Sequence, residues 1–495
     1  MKPHFRSGLA LILLLSLAGC AVGPRYKRPD VPVPGQFKET SPAAAAAPET
    51  PAIGYSNWWR VYEDPKLDEL ESQLGSANLD IRAAVARFDQ AEANTKFARS
   101  FQAPTVSLAT DASRSRESQT RPNTNRSAAT FNNFSVALML GYEVDAWGRV
   151  RRTVESSRAV QDASAADVRF VRLAVEATLA IDYFNIREND AEQEVLQSMI
   201  REQQHALDLV TNRFRGGLIS ELEVKQAQTL LDQTKAQSQA LDVQRSQLEH
   251  AIAVLVGRPA SDFSLPRIPF DGDPPVIPPG LPANILVRRP DIAEADRLLA
   301  SATANIGVAK AAYFPQISLT GFAGFESTNG ATLFSWANSI MSLGTSALTP
   351  IFNHGRVRAG VDHAVGVYKE SLAQYQRAVL TAYQEVEDQL AALRIMQGEA
   401  LSQASAVDAA RKAEEIATNR YRRGLVSYLD VVFAETTLLG TQRVSTQISG
   451  QRMVASVVLI KALGGGWLGV PAMPVTNGSS PATTTPAGAG SPNHH

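Results

Sequence analysis

The sequence predicts a mixed α and β fold in which one structural unit occurs twice, each copy carrying membrane-crossing strands followed by a long helical hairpin. Three observations predict it. The 495-residue chain resembles itself at an offset of 207 residues, one stretch of 67 residues lacks glycine and proline, and alternating polar and apolar residues precede each long helical stretch. Because solenoid repeats are only ~20–50 residues long, the duplicated unit must be a whole structural half.

The N-terminus resembles an export signal over residues 1–19. Lys2 and Arg6 make it basic, an apolar run covers Leu9–Leu17, and two small residues follow. This order is typical of a secretory signal peptide, and the apolar run is too short to cross ~30 Å of hydrocarbon as a helix. We therefore expect the mature chain to begin at Cys20.

Cys20 is the only cysteine in the chain. An unpaired thiol in an exported protein is a redox liability, which favours a modified residue. The stretch from Leu17 to Cys20 (LAGC) resembles the lipobox of bacterial lipoproteins. That resemblance implies cleavage before Cys20, acylation of its sulfur and amino group by chains such as palmitate, and, because Ala21 follows, sorting to the outer membrane. The alternative is an ordinary signal peptide and an incidental cysteine.

Composition excludes some functions and identifies the irregular segments. Without its signal the chain keeps 46 basic and 49 acidic residues, a net charge of −3, which gives no indication of nucleic-acid binding. No later segment could form a transmembrane helix, so a membrane crossing would require a closed β-barrel. Proline-rich composition predicts a lipid-anchored leader over residues 20–56 and a linker over 259–282, and residues 470–495 are expected to be disordered.

The internal repeat is clearest in two blocks of thirteen residues. Asn212–Val224 (NRFRGGLISELEV) and Asn419–Val431 (NRYRRGLVSYLDV) are identical at eight positions. A shorter block agrees at the same offset, which makes a chance match improbable. Two structural repeats are therefore predicted, over residues 57–258 and 283–469.

Each repeat is predicted to contain a long helical hairpin. Arg149–Arg215 lacks glycine and proline, a glycine pair then marks a tip near residues 216–220, and a second helix covers Leu218–Val256. The second copy has a corresponding helix from Val357 and a tip near residues 423–427. Two helices of this length can form either a solvated hairpin or part of a larger helical assembly.

The second helix of the first hairpin has a heptad rhythm, typical of a coiled-coil seam. Its seam positions follow one another at alternating steps of three and four residues: Val224, Ala227, Leu231, Thr234, Ser238, Leu241, Arg245, Leu248, Ile252 and Leu255. The small residues among them would allow neighbouring helices to approach closely.

Alternating runs predict a pair of strands before each helical hairpin. Thr105–Asp111 and Ser135–Tyr142 flank a polar stretch and predict a β-hairpin over about 103–143. Gln316–Phe325 and Ile340–Phe352 predict a second over about 315–352. Four strands cannot close a barrel, and open edges are not tolerated in lipid, so the chain must oligomerise around a cyclic axis. Three copies would supply twelve strands.

Blocks in a specific order resemble the outer-membrane efflux protein family (TolC-like), in its OprM- and NodT-like lipoprotein branch. They are the lipobox, NWWRVYEDPKLDEL (57–70), LDIRAAVARFDQAEA (79–93), LVRRPDIAEADRLLASA (286–302), the two tips and IKALGGGW (460–467). The resemblance implies a homotrimer, in which a 12-stranded barrel with four strands per protomer continues into an α-helical coiled-coil tunnel in the periplasm. It also implies an outer-membrane exit duct for a tripartite efflux or secretion system.

The resemblance further implies partners: outer-membrane lipid, a periplasmic adaptor and an inner-membrane transporter, most typically of the resistance-nodulation-division type. It locates a gate at the periplasmic hairpin tips. The candidate gate residues are Tyr421, Arg422, Arg423 and Asp430 on the second tip and Arg215, Glu221 and Glu223 on the first. Family members often carry an acid where this chain has Phe433, so the gate could be charged or apolar.

The hairpin tips also carry the candidate adaptor-docking residues. These are Gly217, Leu218 and Ser220 on the first tip and Gly424, Leu425 and Ser427 on the second. Exposed leucines at the end of a long hairpin are suited to binding a partner protein.

The sequence has no catalytic motif and no histidine spacing that would suit a metal site. We therefore expect neither enzymatic activity nor a cofactor. The alternative to a duct is a structural or adhesive outer-membrane lipoprotein with a periplasmic coiled coil, and the alternating strands before each hairpin argue against it. The cargo is left open, because the inner-membrane transporter would select it.

Overall fold

The computed structural model describes residues 21–39, 55–118, 130–269, 272–277 and 282–465. The predicted signal peptide, Cys20 and the predicted disordered tail lie outside these residues. No helix in the described ranges combines the length and the apolar character that a membrane span requires.

Twelve helices and strands follow one another along the described chain, apart from short 3-10 turns. In order they are α1 (Pro65–Ala77), α2 (Leu79–Ser100), β1 (Thr105–Arg116), β2 (Thr130–Val144), α3 (Arg149–Arg215), α4 (Glu221–Leu255), α5 (Pro282–Arg288), α6 (Pro290–Ala311), β3 (Gln316–Ser327), β4 (Ser339–Leu348), α7 (Arg356–Arg422) and α8 (Tyr428–Ala462).

The two halves of the chain match element by element. Helices α3 and α7 each have 67 residues, and α4 and α8 each have 35. The preceding helices α2 and α6 both have 22 residues, and strands β1 and β3 both have 12. An internal duplication explains this agreement, although α5 and β4 are shorter than their counterparts α1 and β2.

The four strands form one antiparallel sheet in the order β1-β2-β3-β4. Strands β2 and β3 join the two halves, with Tyr142 opposite Leu319. Among the residues that the structure describes, each outer strand, β1 and β4, pairs on one side only. The sheet of one chain therefore has two unpaired edges.

The predicted strand ends were wrong in both hairpins. β1 continues to Arg116 and β2 begins at Thr130, so part of the predicted polar loop is paired strand. Main-chain hydrogen bonds hold this extension, and they do not depend on apolar side chains. β4 ends at Leu348 instead of continuing to Phe352. Pro350 follows within two residues, and a proline cannot donate to the ladder.

The predicted seam of α4 is its buried face. Seven of its ten positions are buried and Val224, Leu248 and Leu255 are half-buried. Two of its polar members have partners on α3: Ser238 accepts a 2.6 Å hydrogen bond from Gln193, and Arg245 forms a buried 2.7 Å ion pair with Asp190. The third, Thr234, donates to the carbonyl of Leu230 one turn back in α4. Buried polar side chains are tolerated here because they are paired.

The described part of the leader, residues 21–39, runs from the base of the sheet onto α7. At one end the amide of Val22 donates to the carbonyl of Trp147 at 3.0 Å. At the other end Phe37 is 2% exposed in a core with Tyr375 and Val379, and the amide of Lys38 donates to the Glu387 carboxylate at 2.6 Å. The leader thus fixes the position of the chain just after Cys20 relative to the sheet.

Candidate gate and docking site at the hairpin tips

Both hairpins turn through the same local motif. The amide of Leu218 donates to the carbonyl of Arg213 at 3.0 Å, and that of Leu425 donates to Arg420 at 3.0 Å. Gly217 and Gly424 both have φ of +74°, a left-handed conformation that strongly favours glycine. This is a Schellman end, which satisfies the last carbonyls of a helix before the chain reverses.

The two tips pack against each other through a small apolar core. Its members come from both hairpins and comprise Leu207, Val210, Ala227, Leu231, Tyr421, Tyr428 and Val431. The rings of Tyr421 and Tyr428 lie 5.3 Å apart at 60°, and both side chains are buried. Of the two residues after each tip glycine, the leucine points outward, while Ile219 and Val426 pack against this core.

One hydrogen bond joins the two hairpins at this core. The hydroxyl of Tyr421 on α7 donates to Oε2 of Glu223 on α4 at 2.9 Å. The Arg213 guanidinium lies 5.3 Å from the centre of the Tyr421 ring. Burial, and then the hydrogen bond to Glu223, raises the pKa of Tyr421 above its ordinary value. The hydroxyl therefore remains a donor at any physiological pH.

The other two candidate acids have partners within their own hairpin. Oδ2 of Asp430 accepts from the Ser427 amide at 3.1 Å and from the Ser427 hydroxyl at 2.8 Å, as the third residue of a capping box does. Glu221 lies 3.8 Å from Lys225 in an exposed pair one helical turn apart. Of the three predicted acids, only Glu223 bridges the hairpins.

The candidate arginines point into solvent. Arg215, Arg422 and Arg423 are exposed, and none of them forms an ion pair with any residue in the described ranges. Phe433 occupies the position at which the sequence comparison pointed to an acid in similar proteins, and it is 74% exposed. The structure therefore brings Tyr421 and Glu223 together and leaves these arginines and Phe433 apart from that pair.

The candidate docking residues lie at the extreme end of the hairpins. Leu218 and Leu425 are 75% and 64% exposed, and Ser220 and Ser427 beside them are exposed as well. Exposure of large apolar side chains on both tips is the property that a docking surface needs.

Sequence reasoning missed a buried acid near the tips. Glu435 on α8 is 7% exposed, and its Oε2 has no hydrogen-bond partner among the described residues. Burial, followed by the nearby carboxylates of Glu414 and Glu202, raises the pKa of Glu435 to about 7. The heptad positions Tyr428, Val431 and Glu435 would have predicted that this side chain faces inward.

The described residues contain no group of three or more histidine, cysteine, aspartate or glutamate side chains that could hold a metal ion. The site consists of a cross-hairpin hydrogen bond, a small aromatic core and exposed charged and apolar tip residues. This arrangement holds the two hairpin tips together through one hydrogen bond and a shared apolar core.

Solved structures with this architecture are TolC-like outer-membrane channels of mixed helical and sheet content. The OprN outer-membrane channel superposes with a TM-score of 0.84 at 30% identity, covering 91% of this chain and 100% of that one. The outer membrane efflux protein family model matches residues 70–258 and 281–465. This chain therefore belongs to the outer membrane efflux protein family, whose members are transport ducts and not enzymes.

Two curated relatives cover almost the whole chain. The pyoverdine export outer membrane protein OpmQ of Pseudomonas aeruginosa is 31% identical over 458 residues, 92% of this chain and 95% of the relative. The toluene efflux pump outer membrane protein TtgF of Pseudomonas putida is 29% identical over 482 residues, 96% of this chain and 99% of the relative. The family locates the protein at the outer membrane, extending into the periplasm.

Proposed function

We propose that this protein is the outer-membrane exit duct of a tripartite efflux system, conducting solutes passively from a periplasmic adaptor and an inner-membrane transporter to the outside. Relatives that cover nearly the whole chain serve pumps for chemically different solutes, pyoverdine and toluene. A duct whose transporter selects the cargo accounts for that diversity. Among transporter classes, the resistance-nodulation-division type is our proposal for the energy source.

The observation that carries the proposal is the four-stranded sheet with two unpaired edges. In lipid every backbone group needs a partner, so a four-stranded sheet requires other chains to close it. Three copies give a barrel of twelve strands, with the long helices continuing as a coiled-coil tunnel. Lipid chains on Cys20 would tether the mature N-terminus beside the base of this barrel, where Val22 is held.

We place the gate at the tips, with the Tyr421–Glu223 hydrogen bond as a latch between the two hairpins of each chain. The latch has a protonated donor and a half-buried acceptor, and breaking it requires only relative movement of the hairpins. Leu218 and Leu425 are the proposed contacts for the adaptor, whose docking would separate the tips.

The test begins with mass and conductance. The mature protein, purified in detergent, should have the mass of a trimer, and it should form channels in planar bilayers. A folded monomer that inserts alone would overturn the proposal, and a trimer without conductance would favour the structural or adhesive alternative. Labelling with radioactive palmitate should be lost in a Cys20→Ala variant.

Docking is tested by crosslinking. Because Cys20 is the only native cysteine, single thiols introduced by Ser220→Cys or Ser427→Cys give unambiguous crosslinking sites. Thiol-specific crosslinkers should trap the adaptor from these sites and should not trap it from a thiol introduced on α6. Failure at both tip positions would exclude the tips as the docking surface.

A further inference from the structure

The hairpin tips carry a local excess of positive charge. The tip segments 212–224 and 419–431 contain five arginines and three acidic residues, a net charge of +2. The whole chain has 48 basic and 49 acidic residues, so this excess is not a property of its overall composition. The two tips are adjacent in the structure, and their charges therefore act together.

The acids at the tips are engaged, whereas most of the arginines are free. Glu223 accepts from Tyr421, Asp430 accepts from Ser427, and Glu221 pairs with Lys225. The exposed arginines without a carboxylate partner in the described chain are Arg215, Arg420, Arg422 and Arg423. Hydrogen bonds from neutral donors do not cancel the charge of a carboxylate, so the field beyond the tips reflects the net excess of two arginines, whose guanidinium groups stay charged at any physiological pH.

The second copy carries one more positive charge at the tip than the first. Arg215 and Arg422 occupy equivalent positions of the two repeats. The next position is Gly216 in the first copy and Arg423 in the second, where the turn still closes in the same way. Arg423 is therefore not needed to form the turn, and it contributes charge at the second tip.

We infer that the tips form a positively charged collar that admits small anionic solutes in preference to cations. The inference rests on the proposed trimeric duct, in which three chains place a net charge of about +6 around the periplasmic entrance. Like charges around a narrow, low-dielectric opening raise the local concentration of counter-ions by ~10-fold or more. The cargo class it predicts is organic or inorganic anions carrying carboxylate, sulfonate or phosphate groups.

An acidic layer farther from the tips opposes this effect. Glu202, Glu414 and Glu435 lie near one another on α3, α7 and α8, and the pKa of Glu435 is raised to about 7, which leaves it partly neutral. If this layer controlled permeation, the channel would prefer cations. Ion selectivity therefore decides between the collar and the acidic layer.

The experiment measures reversal potentials of the full trimer in planar bilayers under a KCl gradient. The unmodified channel should pass chloride over potassium by about tenfold. Arg422→Gln with Arg423→Gln should bring the ratio close to one, whereas Arg422→Lys with Arg423→Lys should retain it. Arg358→Gln is the control for charge far from the tips, since this arginine is 83% exposed at the opposite end of α7, 3.9 Å from Asp362. Inorganic tripolyphosphate added to the tip side should block the current, and block should weaken in the glutamine variant.

The outcomes separate the inference from the function on which it rests. If the channel conducts but prefers potassium, or if the glutamine variant has an unchanged chloride-to-potassium ratio, the collar is refuted and the proposed duct is not. If Arg358→Gln lowers the chloride-to-potassium ratio as much, the collar is also refuted, because the ratio would then depend on the total charge of the protein and not on the tips. Absence of conductance in every variant refutes the duct, and the inference with it.

Discussion

Replacing Tyr421 by phenylalanine removes the proposed latch and little else. The ring remains, so its contact with Tyr428 and its place in the tip core are retained. A hydrogen bond to a charged group contributes roughly 1.5–3 kcal/mol, and we take the lower value because Glu223 is only half-buried. About 1.4 kcal/mol corresponds to a tenfold change in an equilibrium constant. Each lost latch should therefore favour the open tip about tenfold.

The assay is single-channel recording in planar bilayers, read as open probability and mean conductance. Tyr428→Phe is the matched control, because Tyr428 is an equally buried neighbour whose hydroxyl makes no hydrogen bond within the described residues. Glu223→Gln keeps a hydrogen-bond acceptor but loses the charge. Its open probability should lie between those of Tyr421→Phe and Tyr428→Phe. If Tyr421→Phe records like the unmodified channel, or if Tyr428→Phe opens it as much, the latch is not the closing element.

Three further predictions concern the helices and the leader. Asp430→Ala should cost α8 about 1 kcal/mol, seen as faster amide hydrogen exchange in its first turn, while Asp430→Asn should retain part of the protection. The pKa of Glu435 is raised to about 7, so its contribution is favourable while it is protonated and is lost as the pH rises through 7. The Tm should therefore fall from about pH 5 to pH 8, and much less so in Glu435→Gln; parallel curves would contradict this. Phe37→Ala should cost about 3–5 kcal/mol in unfolding free energy, whereas Val33→Ala, at a 40% exposed leader position, should cost under ~1 kcal/mol; equal losses would show that the leader does not depend on this anchor.

The sequence predicted the long helices better than the strands, for physical reasons. α3 spans the glycine- and proline-free stretch Arg149–Arg215. A segment without these two residues can continue as a helix until the backbone has to adopt another conformation. The strand ends were misjudged because the pattern of side chains stops at Asp111, while main-chain pairing continues to Arg116. An alternating pattern shows only that one face of a strand meets an apolar environment. The strand itself can continue past the last alternating residue.

The candidate site was predicted as a set of residues and not as an arrangement. The turn at each tip follows from its glycine, and exposed leucines follow from the turn. The pairing of Tyr421 with Glu223 joins residues 198 positions apart and depends on how the two hairpins align, which no local pattern determines. The sequence predicted Asp430 as an acid at the proposed gate, and its role in helix capping became visible only from the position of Ser427.

The latch arises from a difference between the two halves of the duplication. Glu223 and Asp430 occupy equivalent positions, and so do Phe214 and Tyr421. Phe214 has no hydroxyl and is 41% exposed, whereas Tyr421 is 6% exposed and donates across the hairpins. Because the first copy cannot donate, Asp430 has no tyrosine partner of this kind and caps its own helix. The hydroxyl of Tyr421 thus gives the two hairpins different roles in this hydrogen bond: the second hairpin is the donor and the first is the acceptor. The closed tip that we propose depends on that divergence, since two identical copies with phenylalanine at this position would have no hydrogen bond between the hairpins at the tip core.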